Sequence, residues 1–127
     1  MNLNQVTVPS TDVPRSIDFY RSLGLVLIGE NLPSYTRFEC SEGDATFSVH
    51  QTNQPSGSPG VVVYFECDDL DSTVGRLKEG GLRFESDSQN QPWLWREAFL
   101  KDPDGNVICL FRAGENRKNP PWWLNRN

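Results

Sequence analysis

The sequence predicts an α+β fold in which one strand–helix–three-strand module occurs twice within a single domain. Short segments alternate apolar and polar residues, as strands do, and two segments carry apolar residues at helical spacing. The same order of helix cap, apolar face and glycine stop recurs in both halves. When the second half is shifted back by 57 residues, Asp69 falls on Asp12 and Gly81 falls on Gly24. A chain of 127 residues has room for one such domain.

Module one covers about residues 1–52 and begins with an alternating strand at 3–8. A helix then starts at Asp12, a suitable N-cap residue, has Pro14 in its first turn, and ends at Gly24. Its apolar face consists of Val13, Ile17 and Tyr20. The three later strands are separated by Gly, Pro, Ser and Asn residues and are predicted over residues 25–29, 35–40 and 45–51.

Module two covers about residues 61–112 and follows a linker at 53–60 that is rich in Pro, Gly and Ser. A strand at 61–67 leads into a helix that a Gly-Gly pair ends, and the apolar face of this helix consists of Leu70, Val74 and Leu77. Three strands follow, near residues 82–86, 95–101 and 106–112. In the tail, residues 113–127, we expect Trp122 or Trp123 to pack on the body of the protein or on a second subunit.

The Asp-Pro-Asp-Gly sequence before the last strand predicts a tight turn. Pro103 suits the second position of a type I turn, and Gly105 suits the left-handed residue that closes a hairpin. A turn of this kind fixes the register of the strand that follows it. Ile108 and Leu110 would then pack under the helix, and Cys109 would face the other side of the sheet.

Composition narrows the classes of function. A net charge of -5 and a pI of about 4.8 argue against a nucleic-acid surface, which needs a basic face. No apolar run is long enough to span a membrane, and the N-terminus lacks the features of a signal peptide. Three cysteines without a C-x-x-C pair favour a reducing cytoplasm. Of these, Cys40 and Cys67 are predicted to be buried as small apolar residues.

Three segments resemble the vicinal oxygen chelate superfamily, which includes glyoxalase I, bleomycin-resistance proteins and extradiol dioxygenases. They are VTVPSTDVPRSIDFYRSLGL at 6–25, YFECDDLDSTVGRLKEGG at 64–81 and WREAFLKDPDGNVICLF at 95–111. The resemblance implies two βαβββ modules that form a curved mixed sheet around a cup, with the helices covering its far side. It also implies a homodimer.

By this resemblance, the metal of the superfamily would fall on Gln5, Ser48, Val62 and Cys109. Valine has no donor atom, and a neutral serine hydroxyl is a poor ligand. Cysteine prefers softer metals than the nitrogen and oxygen sites of glyoxalases bind. We therefore expect no metal at the standard position and no other cofactor.

Strand alternation and the resemblance together define the residues expected to line the cup. Its polar members are Gln5, Thr7, Ser48, His50, Glu66 and Glu97, and the other members are Tyr64, Trp95, Phe99, Cys109 and Phe111. An apolar lining with a few polar groups is typical of small-molecule sites. A carboxylate there would favour a cationic ligand, and Trp95 or Trp93 would favour a planar one, although Trp93 fits a core or dimer contact equally well. The first hypothesis is a protein that binds a small molecule without metal.

The alternative hypothesis is a lyase, isomerase or dioxygenase of the glyoxalase type with a displaced metal around His50. Glu66 and Glu97 are the candidate partners, because a histidine with two carboxylates can bind iron or zinc. These three residues are also the catalytic candidates without metal, with His50 as general acid or base and a carboxylate orienting it. Cys109 as a nucleophile would need an activating neighbour.

Overall fold

The computed structural model describes residues 1–54 and 60–122. It consists of two compact units. Unit one comprises Met1–Val61 together with Asp102–Asn106, and unit two comprises Val62–Lys101 together with the chain from Val107 onward. The predicted linker at 53–60 precedes the boundary between them, and its residues 55–59 lie outside the described residues.

Unit one contains one helix and a four-stranded sheet. Its elements are β1 (Gln5–Ser10), α1 (Val13–Leu23), β2 (Val26–Asn31), β3 (Tyr35–Glu39) and β4 (Thr46–Gln51). The strand order is β1-β4-β3-β2, with β1 parallel to β4 and the other neighbours antiparallel. The Asp12 carboxylate caps α1 by accepting the Arg15 amide at 3.1 Å, and Gly24 ends the helix with a φ of 109°. The predicted cap and stop are therefore confirmed.

Unit two repeats this plan. Its elements are β5 (Val62–Glu66), α2 (Leu70–Glu79), β6 (Gln89–Asn90), β7 (Arg96–Lys101), β8 (Val107–Arg112) and a short 3₁₀ helix (Gly114–Arg117). The order β5-β8-β7-β6 matches unit one strand for strand, including the parallel pair β5 and β8. The Asp69 carboxylate caps α2 by accepting the Ser72 amide at 3.2 Å. The predicted repeat of two βαβββ modules is confirmed.

In each unit the helix packs on one face of the sheet. Tyr20 on α1 is fully buried, with its ring centroid 4.6 Å from that of Phe47 and 5.9 Å from that of Phe38. In unit two the buried helix positions are those predicted, and the buried strand positions include Ala98, Leu100, Ile108 and Leu110. Because strand side chains alternate, the residues between these positions form an open face on each sheet.

Two predictions about module two and the cysteines were wrong. Residues 82–86 form no strand, and only the two-residue β6 pairs with β7 on that side. The Phe99 amide bonds to the Ser86 hydroxyl at 3.2 Å, so a side chain takes the place of a backbone carbonyl that a strand would supply. Cys40 and Cys67 are half-buried rather than buried.

The Asp-Pro-Asp-Gly turn packs in unit one, although it joins β7 to β8. The Gly105 amide bonds to the Asp102 carbonyl at 3.0 Å, and Gly105 has a φ of 86°, so the predicted turn is confirmed. The Asp102 carboxylate accepts the Tyr20 hydroxyl at 2.6 Å. The Asp104 carboxylate accepts the Thr11 amide at 2.8 Å. The turn is thus also part of a polar network with α1 and its preceding loop.

Neither helix in the described parts of the chain is long and apolar enough to cross a membrane.

Candidate ligand-binding faces

The open face of unit one is polar. Six residues that alternate with the core positions of β1, β3 and β4 form what we call the polar face, namely Gln5, Thr7, Tyr35, Arg37, Ser48 and His50. The register pairs Thr7 with Ser48, Arg37 with Ser48, and Tyr35 with His50. The four residues of this set that the sequence predicted therefore lie on one face.

Hydrogen bonds join most of the polar face around Ser48. The Gln5 side-chain amide donates to the Ser48 hydroxyl at 2.8 Å and to the Thr7 hydroxyl at 3.3 Å, while Gln5 Oε1 accepts from the Thr46 hydroxyl. Arg37 Nε also donates to Ser48 Oγ, at 3.3 Å. Ser48 is only 1 % exposed, so its buried hydroxyl fixes the positions of the Gln5 and Arg37 side chains that donate to it.

His50 lies at the edge of this arrangement. It is exposed, and its imidazole meets the Tyr35 ring at a centroid distance of 6.0 Å. Among the described residues no hydrogen bond or ion pair orients its imidazole. The relay that general acid or base catalysis by His50 would need is therefore not formed within unit one.

On the open face of unit two, the rings of Tyr64, Trp95 and Phe111 contact one another, and we call these three residues the aromatic wall. Trp95 stacks on Phe111 with centroids 4.7 Å apart and planes at 18°. Tyr64 meets these two rings edge-on, at 6.0 Å and 5.6 Å. Phe111 is buried, Trp95 is half-buried and Tyr64 is 46 % exposed. The wall therefore has a buried base and an exposed rim.

A buried carboxyl group lies beside the aromatic wall. Glu97 is 3 % exposed and stands opposite Phe111 in the strand register. Burial raises the pKa of the Glu97 carboxyl, and a 3.4 Å hydrogen bond from the Trp93 indole lowers it by less. A smaller fraction of this carboxyl is ionised at a given pH than for an exposed glutamate, which weakens its attraction for a cation.

Cys109 lies at the base of the same face. It is fully buried and packs with Phe111, Trp95 and Phe99. The predicted direction of its side chain agrees with the register that places it opposite Phe99 and Tyr64. Burial, with a smaller contribution from Glu97, raises the pKa of the Cys109 thiol to about 12. The thiol is thus protonated near neutral pH and is a poor nucleophile.

Glu66 is bound to the chain that follows β8. One carboxylate oxygen accepts the backbone amides of Ala113 and Gly114 at 2.9 Å and 2.8 Å, and Arg112 and Arg117 lie within ion-pair distance. Burial alone would raise the pKa of Glu66, but these hydrogen bonds and charges outweigh it, so the pKa lies below its ordinary value. The carboxylate therefore anchors the start of the 3₁₀ helix.

A cleft of about 770 Å³ opens beside Trp95. Its lining is polar and apolar in similar amounts and includes Asn90, Gln91, Arg96, Arg112 and Asn116 together with Leu94, Trp95 and Ala113. The Trp95 indole donates to the Asn116 carbonyl at 3.4 Å across it. Trp95 therefore contributes to both the wall and the cleft.

The residues at the four family metal positions do not fit a metal. Val62 offers no donor atom, the Cys109 thiol is fully buried against Phe111, Trp95 and Phe99, and the Ser48 hydroxyl already accepts two hydrogen bonds. Within either unit, the described residues include no group of three or more His, Cys, Asp or Glu side chains placed to hold a metal ion.

Arg37 is the charged residue of the polar face that sequence reasoning missed, together with Tyr35. It lies two residues from Tyr35 on β3, and the alternation of that strand places both on the open face. The same rule that selected Ser48 and His50 on β4 could have found it.

Of the tail tryptophans, Trp122 is 56 % exposed, and Trp123 lies outside the described residues.

Comparison with known proteins gives a single family. A model of the Glyoxalase/Bleomycin resistance protein/Dioxygenase superfamily matches residues 2–110. No curated protein sequence matches this chain.

Crystal structures of low sequence identity share the fold. A glyoxalase/bleomycin resistance protein/dioxygenase from Nocardioides has a TM-score of 0.78 and 21% identity, with 98% of this chain and 90% of that chain covered. Lactoylglutathione lyase from Agrobacterium tumefaciens has a TM-score of 0.72 and 18% identity, with 87% and 92% covered. A bleomycin-binding protein complexed with bleomycin has a TM-score of 0.71 and 21% identity, with 88% and 98% covered.

Proposed function

Because this chain belongs to the glyoxalase/bleomycin resistance protein/dioxygenase superfamily, we propose that it binds a small organic molecule on the open faces of its sheets, without a bound metal. The aromatic wall of Tyr64, Trp95 and Phe111 is the observation that carries this proposal. A planar apolar ligand can stack on its exposed rim, because Tyr64 and Trp95 retain accessible ring surface.

The family precedent for such binding is the bleomycin-binding protein, which shares the fold and was crystallised with bleomycin. The residues at the family metal positions support a metal-free mode, because Val62 has no donor atom and the Cys109 thiol is fully buried. The proposal includes a homodimer. It also includes a cytoplasmic location, because the three cysteines are free and a reducing compartment keeps thiols in that state.

Fluorescence of a neutral planar dye, N-phenyl-1-naphthylamine, tests the proposal. We expect saturable binding to the wild-type protein and a loss of affinity of roughly tenfold in Trp95→Ala, since one aromatic contact contributes about 1.5 kcal/mol. Trp122→Ala is the matched control, because Trp122 is exposed and lies outside the wall. Tyr64→Ala gives a second test at a side chain whose removal leaves the buried base intact.

Two outcomes would overturn the proposal. One is an affinity for the dye that is the same in the Trp95→Ala and Tyr64→Ala variants as in the wild type. The other is stoichiometric metal in protein purified without a tag that disappears in His50→Ala, which would favour a displaced metal site and the alternative enzyme. Unchanged far-UV circular dichroism of each variant shows that the fold is retained.

A further inference from the structure

Arg37 occupies the centre of the polar face. On one side its register partner is Ser48 on β4, and on the other it is Gly29 on β2. The strand alternation that buries Thr36 and Phe38 directs Arg37 to the open side, where it is exposed. Its position is set by the sheet rather than by a loop.

The guanidinium of Arg37 is held at one point and free elsewhere. Its Nε donates to Ser48, and its central carbon lies 5.5 Å from the centroid of the Tyr35 ring, in cation–π range. Among the described residues, no other group accepts a hydrogen bond from the remaining N–H donors of the fork. These donors form the edge that binds carboxylates and phosphates in two parallel hydrogen bonds.

The charge of Arg37 is also uncompensated within the described chain. Arg15, Arg96, Arg112 and Arg117 each lie within 4.0 Å of a carboxylate. For Arg37 no carboxylate of the described residues lies within that distance, including Glu39, which follows it on the same strand face. Arg21, Arg76 and Arg83 also lack such a pair among the described residues, but Arg37 is the member of this group that lies on a strand and on the open face of a sheet.

Open space adjoins this guanidinium. The neighbouring position on β2 is Gly29, and a Cβ atom placed there would meet nothing within 4 Å. β2 also shifts register between Leu27 and Gly29, which interrupts the regular row of side chains beside Arg37. The sheet therefore leaves room for a ligand group at the cation.

We propose that Arg37 binds the anionic group of a small organic molecule, a carboxylate or a phosphate, in the space beside Gly29 on the open face of unit one. Ser48 acts as a positioning residue, because its hydroxyl accepts Arg37 Nε and its side chain is buried. This inference rests on the proposed function and adds a charge preference for the open face of unit one.

Titration of ¹⁵N-labelled protein with benzoate, phenyl phosphate and neutral benzyl alcohol tests the inference by NMR. We expect benzoate or phenyl phosphate to shift the backbone amides of Gly29, Arg37 and Ser48 saturably. Arg37→Met should weaken this binding at least about tenfold, because a charge-assisted hydrogen-bond pair is lost. The tighter of the two anions identifies the group, whether carboxylate or phosphate.

Two further variants make the test specific. Arg21→Met removes the same charge from an exposed position on α1 and should leave the affinity unchanged. Gly29→Leu should weaken binding as Arg37→Met does, because its side chain fills the space beside the guanidinium while Arg37 remains.

The inference fails if benzyl alcohol binds as tightly as the anions, or if Arg37→Met and Arg21→Met have equal affinities. Either result leaves the proposed function standing as long as Trp95 remains necessary for binding the neutral dye. The same dye affinity in the Trp95→Ala and Tyr64→Ala variants as in the wild type would instead remove the proposed function itself.

Discussion

At the scale of single residues, Asp104 shows how much one carboxylate in the turn contributes. Its side chain is 2% exposed and accepts the Thr11 amide and hydroxyl and the Ser16 hydroxyl. Burial alone would raise its pKa, but the hydrogen bonds from Ser10, Thr11 and Ser16 outweigh burial, so the pKa lies below its ordinary value. The ionised form is therefore the one that stabilises the fold.

The pH dependence of stability follows from this sign. An acid with a lowered folded-state pKa contributes stability that is complete above its unfolded-state pKa, about 3.9, and is lost as the pH falls through the folded-state value. We expect Asp104→Asn to lower the free energy of unfolding by about 1–3 kcal/mol at pH 7. The gap between variant and wild type should narrow toward pH 3, as measured by urea denaturation.

Asp44→Asn is the control for this prediction, because Asp44 is exposed in the loop before β4. A gap that stays constant from pH 7 to pH 3 would mean that the Asp104 charge does not stabilise the fold.

Single residues also show where sequence reasoning about the faces succeeded and where it stopped. Alternation placed Cys109 and Ser48 correctly, because each strand face is fixed by its buried neighbours. It could not reveal that Glu66 is bound by the Ala113 and Gly114 amides. That contact depends on the path of the chain after β8, for which no short-range pattern exists.

At the scale of elements, the hairpin loop between β6 and β7 contains a backbone conformation that its sequence disfavours. Leu94 has a φ of 67°, the left-handed region, and it is 49% exposed. The Leu94 amide bonds to the Gln91 carbonyl at 3.0 Å, and the Gln91 amide bonds to the Trp95 carbonyl at 2.8 Å, so the loop is closed in this shape. Leucine is unfavourable in this backbone conformation, whereas asparagine adopts it readily.

We therefore expect Leu94→Asn to raise the free energy of unfolding by about 0.5–1 kcal/mol, since little apolar burial is lost at this exposed position. Thermal unfolding measures the change. Leu94→Ala is the matched control, because it removes the same side chain but keeps the unfavourable φ, and it should not stabilise. Equal melting temperatures of the Asn and Ala variants would contradict the role assigned to the backbone.

Elements with strong periodicity were predictable, and the weakest one was not. Both helices follow from a cap, an apolar face and a glycine, which are local signals. The segment at 82–86 alternates like a strand, and the Glu85 amide bonds to the Phe99 carbonyl of β7 at 2.7 Å. The Phe99 amide, however, bonds to the Ser86 hydroxyl instead of a backbone carbonyl, so the segment does not continue as a paired strand. Whether a short alternating segment pairs depends on such competition, and local pattern does not decide it.

At the scale of the whole molecule, the 57-residue repeat predicted the topology because both modules meet the same packing problem with the same signals. The placement of the turn Asp102–Asn106 in unit one was beyond that reasoning. It depends on the contact of Tyr20 with Asp102, which are far apart in sequence, and one sequence carries no record of that pairing.

The C-terminal segment gives the last prediction. After β8, the 3₁₀ helix bonds to the rest of unit two through the Gly114 amide, which donates to Glu66, through the Asn116 carbonyl, which accepts the Trp95 indole, and through Arg117, which lies 3.7 Å from the Glu66 carboxylate. A chain ending at Gly114 loses the Asn116 and Arg117 contacts. We expect a lower melting temperature and, if the tail joins the proposed dimer, a halved mass by light scattering. A chain ending at Pro121 retains the 3₁₀ helix but lacks Trp122 and Trp123, so it separates the two contributions. The same melting temperature and mass in all three proteins would show that neither the helix nor the tryptophans stabilise the fold or its assembly.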